Sequence, residues 1–108
     1  MFEAEIERGA KLLDKDDPGW ALESAKCPID VERLDMGSSW KCILGQHGGG
    51  FLKEAIRLGL WGKDMEEWGF AAENSSAYLL LTAEWSAFIR KRRKDAALAL
   101  SRKKGRKP

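Results

Sequence analysis

Apolar residues recur through the first sixteen positions at steps of four, four and three: Phe2, Ile6, Ala10 and Leu13. That spacing puts them on one stripe of an amphipathic helix. Glu3, Glu5 and Glu7 crowd its start, where the helix dipole favours negative charge, and Glu7 precedes Lys11 by one turn. Asp17-Pro18-Gly19 ends this helix. Asp17 and Pro18 also predict a second short helix carrying Trp20, Ala21 and Leu22 and stopped by Pro28. Asp30, flanked by Ile29 and Leu34, reads as the cap and staple of another turn, with Gly37 as its stop.

Ser38 or Ser39 caps a predicted helix over Trp40 to Gln46, followed by a glycine hinge at His47-Gly48-Gly49-Gly50. Phe51 to Leu58 is again helical by period, and Gly59-Leu60 is a C-terminal stop with a hydrophobe after the glycine. The same grammar returns in Asp64 to Phe70, with Asp64 as cap, Glu67 completing a capping box, and Gly69-Phe70 closing the turn. Asn74, Ser75 or Ser76 opens the longest helix, whose buried stripe is Tyr78, Leu81, Trp85, Phe88 and Ile89. The stripe stops at Ile89, so Arg90 to Asp95 must be solvated or bound. Ala96 to Leu100 favours helix, and Ser101 to Pro108 is expected to be disordered when free. No alternating run of β-branched residues suggests a strand. The expectation is an all-α protein: about five mostly short helices and a long C-terminal helix running into a basic tail.

Composition adds two points. Five tryptophans in 108 residues allow a small core to rest on large aromatic side chains. The plain reading makes most of them core anchors; the sharper alternative puts one or two at a partner surface. Charge is polarised. Residues 90–108 hold ten Lys/Arg against Asp95 alone, a net +9; residues 1–89 hold nine against sixteen Asp/Glu, a net −7. The division expected is a compact helical domain over 1–89 and a basic extension and tail over 90–108. The charged start, the lack of an apolar run long enough to span a bilayer, and only two cysteines point to reduced thiols in a cytoplasm.

Catalytic and metal motifs are incomplete. His47-Gly48-Gly49-Gly50 spells an oxyanion-hole motif, but the Gly-x-Ser-x-Gly elbow it serves is missing. Gly45 and Gly50 have P-loop spacing, but Phe51-Leu52 stand where Lys and Ser/Thr must sit. Cys27, Cys42 and His47 offer three zinc ligands without paired spacing or a fourth ligand. Cys42 with His47 is a thin nucleophile pair. The expectation is no enzyme activity, no metal and no cofactor.

Phe51 to Phe70 fits a twenty-residue helix-turn-helix at Ala55, Gly59, Leu60, Met65 and Trp68. Glu54 falls where an apolar residue belongs, and the second helix carries Asp64, Glu66 and Glu67, which phosphates repel. The basic positions Arg90, Lys91, Arg92, Arg93, Lys94, Arg102, Lys103, Lys104, Arg106 and Lys107 suit phosphates, an acidic protein or the chain's own acidic body. A solvated terminus is the plain alternative. No aromatic is interleaved among them for base stacking.

The chain also resembles a group of short, uncharacterised proteins encoded by phages and prophages of actinobacteria. The resemblance rests on Ile29-Asp30 leading into Leu34-Asp35-Met36, Cys42-Ile43-Leu44-Gly45-Gln46, Leu58-Gly59-Leu60, Gly69-Phe70, and Tyr78 leading to Leu81-Thr82-Ala83-Glu84-Trp85. It covers roughly residues 6–93. In the group an aromatic-rich segment follows the Gly-Gln pair, where this chain has His47 and three glycines. The resemblance implies a phage accessory setting in a bacterial cytoplasm and no particular activity. With the charge polarity, it favours a non-enzymatic protein that binds a host or phage protein through its tryptophan-rich body and basic tail. The alternative is a nucleic-acid-binding regulator using the 51–70 hairpin and the tail.

Overall fold

The computed structural model describes the backbone of residues 1–105 and side chains through Arg102. Within these residues the chain is all-helical: α1 (Glu3–Asp16), α2 (Ile43–Gly48), α3 (Phe51–Arg57), α4 (Asp64–Glu67) and α5 (Ser75–Gly105). α1 buries Ile6, Ala10 and Leu13, three of the four predicted stripe residues; Phe2 packs at its edge. Gly9 lies on the same side because a Cβ there would stand 2.2 Å from the Trp68 carbonyl oxygen.

Trp85 anchors the core from α5. Its ring stacks on Phe70 at 5.8 Å and meets Trp20 and Phe88 edge-on, and its Nε1 donates to the Gly69 carbonyl at 2.6 Å. Burial of that N–H with a partner lets a tryptophan sit fully inside. Leu81 and Ile89 flank it with no exposure, while Tyr78 and Phe88 lie at the boundary.

Two predicted helices are turns instead. Residues 17–27 are held by isolated bonds such as Trp20 N–H to Asp17 and Leu22 N–H to Gly19, and Asp30 to Leu34 forms one turn. These stretches bury Trp20, Ala21, Ile29, Val31 and Leu34 through side chains alone. α2 starts at Ile43 rather than Trp40, because the Cys42 sulfur accepts the Gly45 N–H at 3.2 Å and caps the helix there. The glycine run is no loose hinge: Gly49 is the left-handed end of α2, and Gly50 leads directly into α3.

The predicted stops hold. Gly59 and Gly69 both have φ +77°, and Leu60 and Phe70 return their N–H groups to Ala55 and Met65 at 2.9 and 2.7 Å. Asn74 caps α5 through its Oδ1 and the Ala77 N–H. The predicted Asp64 cap and its box with Glu67 do not form: Asp64 is the first residue of α4, which has no side-chain cap, and its carboxylate instead accepts the Trp61 N–H at 3.2 Å in the preceding turn.

α5 continues through Gly105, so residues 101–105, expected to be disordered, are helical; 106–108 lie outside the described residues. α1 and α5 run side by side, with Phe2 N–H on Glu84 at one end and Asp14 on Arg92 at the other. From Lys94 to Arg102 the residues of α5 are exposed, and the molecule is 54 Å long against 27 and 23 Å across. That last stretch is a helical arm.

Candidate functional site

The basic stretch does not end up uniformly free. Arg92 is drawn onto the body: its guanidinium binds both Asp14 oxygens at 2.5 and 3.0 Å and lies 4.7 Å from the Phe88 ring centre. The Trp20 indole N–H donates to the same Asp14 at 2.9 Å. Arg92 therefore holds the Asp14 carboxyl below its ordinary range, against the opposing effect of burial and with help from Trp20. Arg93 donates to the carbonyls of Ala21 and Ile29 at 2.8 and 2.7 Å, satisfying two acceptors of the irregular 17–34 segment. Contact with the body thus runs to Arg93, four residues beyond the end of the apolar stripe.

Arg90, Lys91, Lys94 and Arg102 are exposed. Arg90 reaches only the exposed Glu32, at 3.5 Å, and Lys91 pairs with Asp95 at 2.9 Å. Lys94 and Arg102 have no ion pair among the described residues. The side chains of Lys103 and Lys104, and all of Arg106 and Lys107, lie outside the described residues.

The tryptophans divide three ways. Trp20 and Trp85 are fully buried and Trp68 partly so, while Trp40 and Trp61 are 70% and 66% exposed. Trp40 lies over Gly50 at the start of α3, and Trp61 follows the Gly59 turn at its end. On α3 itself Leu52 and Ile56, one turn apart, are exposed at 62% and 49%. An indole thus stands largely in solvent at each end of a helix that also exposes two aliphatic side chains.

The structure also assembles a cluster that sequence reading missed. Glu54, which breaks the apolar pattern of the 51–70 hairpin, is 2% exposed on α3. Its carboxylate accepts from Arg57 Nε at 2.6 Å and is hydrogen-bonded to His47 Nδ1 from α2. The other ring nitrogen, Nε2, meets Asp17 at 2.8 Å, and Arg57 carries on to both oxygens of Asp16 at 2.9 and 2.7 Å. The available signal was a charged residue on the inward side of a helix with Arg57 one turn later; the acidic partners of His47 and Arg57, 30 and 41 residues away from them, left no pattern.

Arg57 holds the Glu54 carboxyl low, against burial and with His47 adding to the effect. Burial pulls the His47 imidazole down, but Asp17 and Glu54 outweigh it and raise it above the ordinary histidine range. The cluster floors a groove of about 560 Å³ also lined by Lys26, Cys27 and Lys53.

Asp16, His47 and Glu54 are the one trio of potential metal-binding side chains brought close together among the described residues, with ligand atoms within 4.8 Å. The Arg57 guanidinium already occupies the cationic position between its carboxylates. The zinc trio weighed from sequence is not formed: Cys42 is buried as the cap of α2, Cys27 is exposed, and both His47 nitrogens are engaged by carboxylates. Burial also pushes the Cys42 thiol up, away from thiolate chemistry.

The helix-turn-helix geometry is likewise incomplete. The Gly59 turn is present, but α4 has only four residues, carries Asp64, Glu66 and Glu67, and buries none of its side chains. Among the described residues no helix is long and apolar enough to cross a membrane. The chain matches no protein-family model, no curated protein and no solved structure.

Proposed function

We propose that this chain is a non-enzymatic accessory protein of the phage type, acting in a bacterial cytoplasm by binding a host or phage protein. The observation that carries the reading is the exposure of Trp40 and Trp61 in a chain whose other three tryptophans are in or against the core. Indoles are concentrated at the energetic centres of protein interfaces because they bury large area at little entropic cost. The arm supplies the second contact. With Arg92 and Arg93 engaged by the body, the electrostatic anchor is Arg90, Lys91, Lys94 and Arg102, continued in sequence by Lys103, Lys104, Arg106 and Lys107. Its preferred counterpart is acidic.

A non-enzymatic role is supported by the state of the reactive side chains. The single histidine is clamped at both nitrogens, and the Cys42 thiol is buried as a helix cap. The nucleic-acid reading retains the arm's exposed cations as support, without a recognition helix to accompany them.

Affinity purification of the tagged full chain from bacterial lysate, with and without nuclease, separates the two. A defined protein retained after nuclease, and lost when Trp40 and Trp61 are both changed to Ala, supports the proposal. Recovery of nucleic acid alone, released steeply by salt, overturns it.

A further inference from the structure

α5 carries a second pattern beside its buried row. Glu84, Phe88, Lys91, Asp95, Leu98 and Arg102 recur at alternating steps of four and three. That spacing keeps side chains on one seam of a helix, available to another helix. The seam is accessible: Glu84 and Phe88 are half-buried, and the other four are exposed, Leu98 at 45%. At one end, Glu84 and Phe88 form a wall of a groove of about 480 Å³ whose opposite wall is α1, with Glu3 and Glu7 among its lining residues. Glu84 accepts the Met1 and Phe2 nitrogens on Oε1 only, and Oε2 has no partner among the described residues.

The chemistry along this seam runs acid, aromatic, base, acid, aliphatic, base. Read in the opposite direction against itself, it is its own complement. Glu84 then faces Arg102, Phe88 faces Leu98, and Lys91 faces Asp95. Parallel pairing would instead set every charge against its own copy, which like-charge repulsion disfavours.

We propose that two copies of this chain pair through α5 in antiparallel register, about a two-fold axis near Arg93. A two-fold arrangement forms every contact twice and closes the assembly. Leu98 of each copy enters the groove beside Phe88 of the other, and Arg102 of each meets Glu84 of the other. Lys91 and Asp95, paired at 2.9 Å within one chain, form a four-charge ring at the centre. Arg90 and Lys94 project from a different flank of α5. They and the exposed tryptophans stay available to a heterologous partner, whereas Lys91 and Arg102, half of the described anchor proposed above, are taken up by the pairing, which sedimentation of the purified chain tests apart from that function.

Sedimentation of the purified full chain across concentration and salt tests this. A dimer at low salt that weakens as salt rises is expected. Arg102→Glu and Glu84→Arg should each weaken dimerisation by about tenfold or more, since each replaces two attractive pairs by repulsive ones. An equimolar mixture of the two variants should recover the dimer, because both pairs are then attractive again. Circular dichroism checks that each variant is folded. A wild-type chain that stays monomeric throughout overturns the proposal, as do folded variants that dimerise like wild type or whose mixture stays monomeric.

Discussion

Arg92 and Asp14 stand 78 residues apart in the chain and meet through two parallel hydrogen bonds at the far end of α1. The pair sits where the apolar stripe of α5 has ended, so it fixes the direction in which the arm leaves the body. Its partners are a third or more exposed, which limits its energetic weight. Arg92→Ala should cost about 1–2 kcal/mol in urea unfolding, through the lost fork and the lost cover over Phe88. Arg92→Lys should recover only part of this, because a lysine ammonium cannot engage both oxygens of Asp14 in the same plane. Asp14 is held low, so its contribution is present above about 3.8 and is lost as pH falls through the lowered value.

The His47 cluster predicts the opposite dependence on the alkaline side. A histidine raised in the folded state contributes stability that is complete below its unfolded value near 6.5 and is lost as pH rises through the raised one. Unfolding free energy measured from pH 6 to 9 should fall over that window in the wild type. In His47→Gln the fall should flatten.

Glu54 separates a structural ion cluster from a misplaced charge. Were it only a flaw in an apolar stripe, Glu54→Leu would stabilise the chain. The structure predicts destabilisation by about 2–4 kcal/mol, because the change leaves the buried His47 Nδ1 without its carboxylate and removes a partner of Arg57. Thermal or urea unfolding reads the sign directly.

Two glycines should respond differently to the same added methyl group. Gly9→Ala forces a Cβ to 2.2 Å from the Trp68 carbonyl, beside Phe70 and Trp85, and should cost about 2–3 kcal/mol or more. At Gly59 the space is open and only the left-handed backbone opposes a side chain, so Gly59→Ala should cost about 1 kcal/mol. Comparing unfolding midpoints of the two variants checks the packing of α1 against the Trp68–Phe70 turn.

The elements legible in the sequence are those whose signal is local. The α1 stripe, the Gly59 and Gly69 stops, the Asn74 cap and the row Leu81, Trp85, Ile89 each need residues no more than a few turns apart. Residues 17–34 carry similar caps and stops but form turns, because their geometry is set by burial of Trp20 and Ile29 and by Arg93 on their carbonyls. A cysteine capping α2 was invisible for another reason: sulfur is a weak acceptor seldom found in that role. Of the ten basic positions, nothing local distinguished Arg92 and Arg93 from their neighbours. Their roles depend on where Asp14, Ala21 and Ile29 arrive in space. The tryptophans followed the same logic, since each indole's neighbours in the sequence say little about what covers it.

The most direct measurement is retention of a protein partner from nuclease-treated bacterial lysate by wild type and by the Trp40→Ala/Trp61→Ala double variant. Both side chains are largely in solvent, so the double variant should unfold within about 1 kcal/mol of wild type. This folded variant should lose a defined partner that wild type retains. Equal retention by both, or nothing but nucleic acid bound by either, would contradict it.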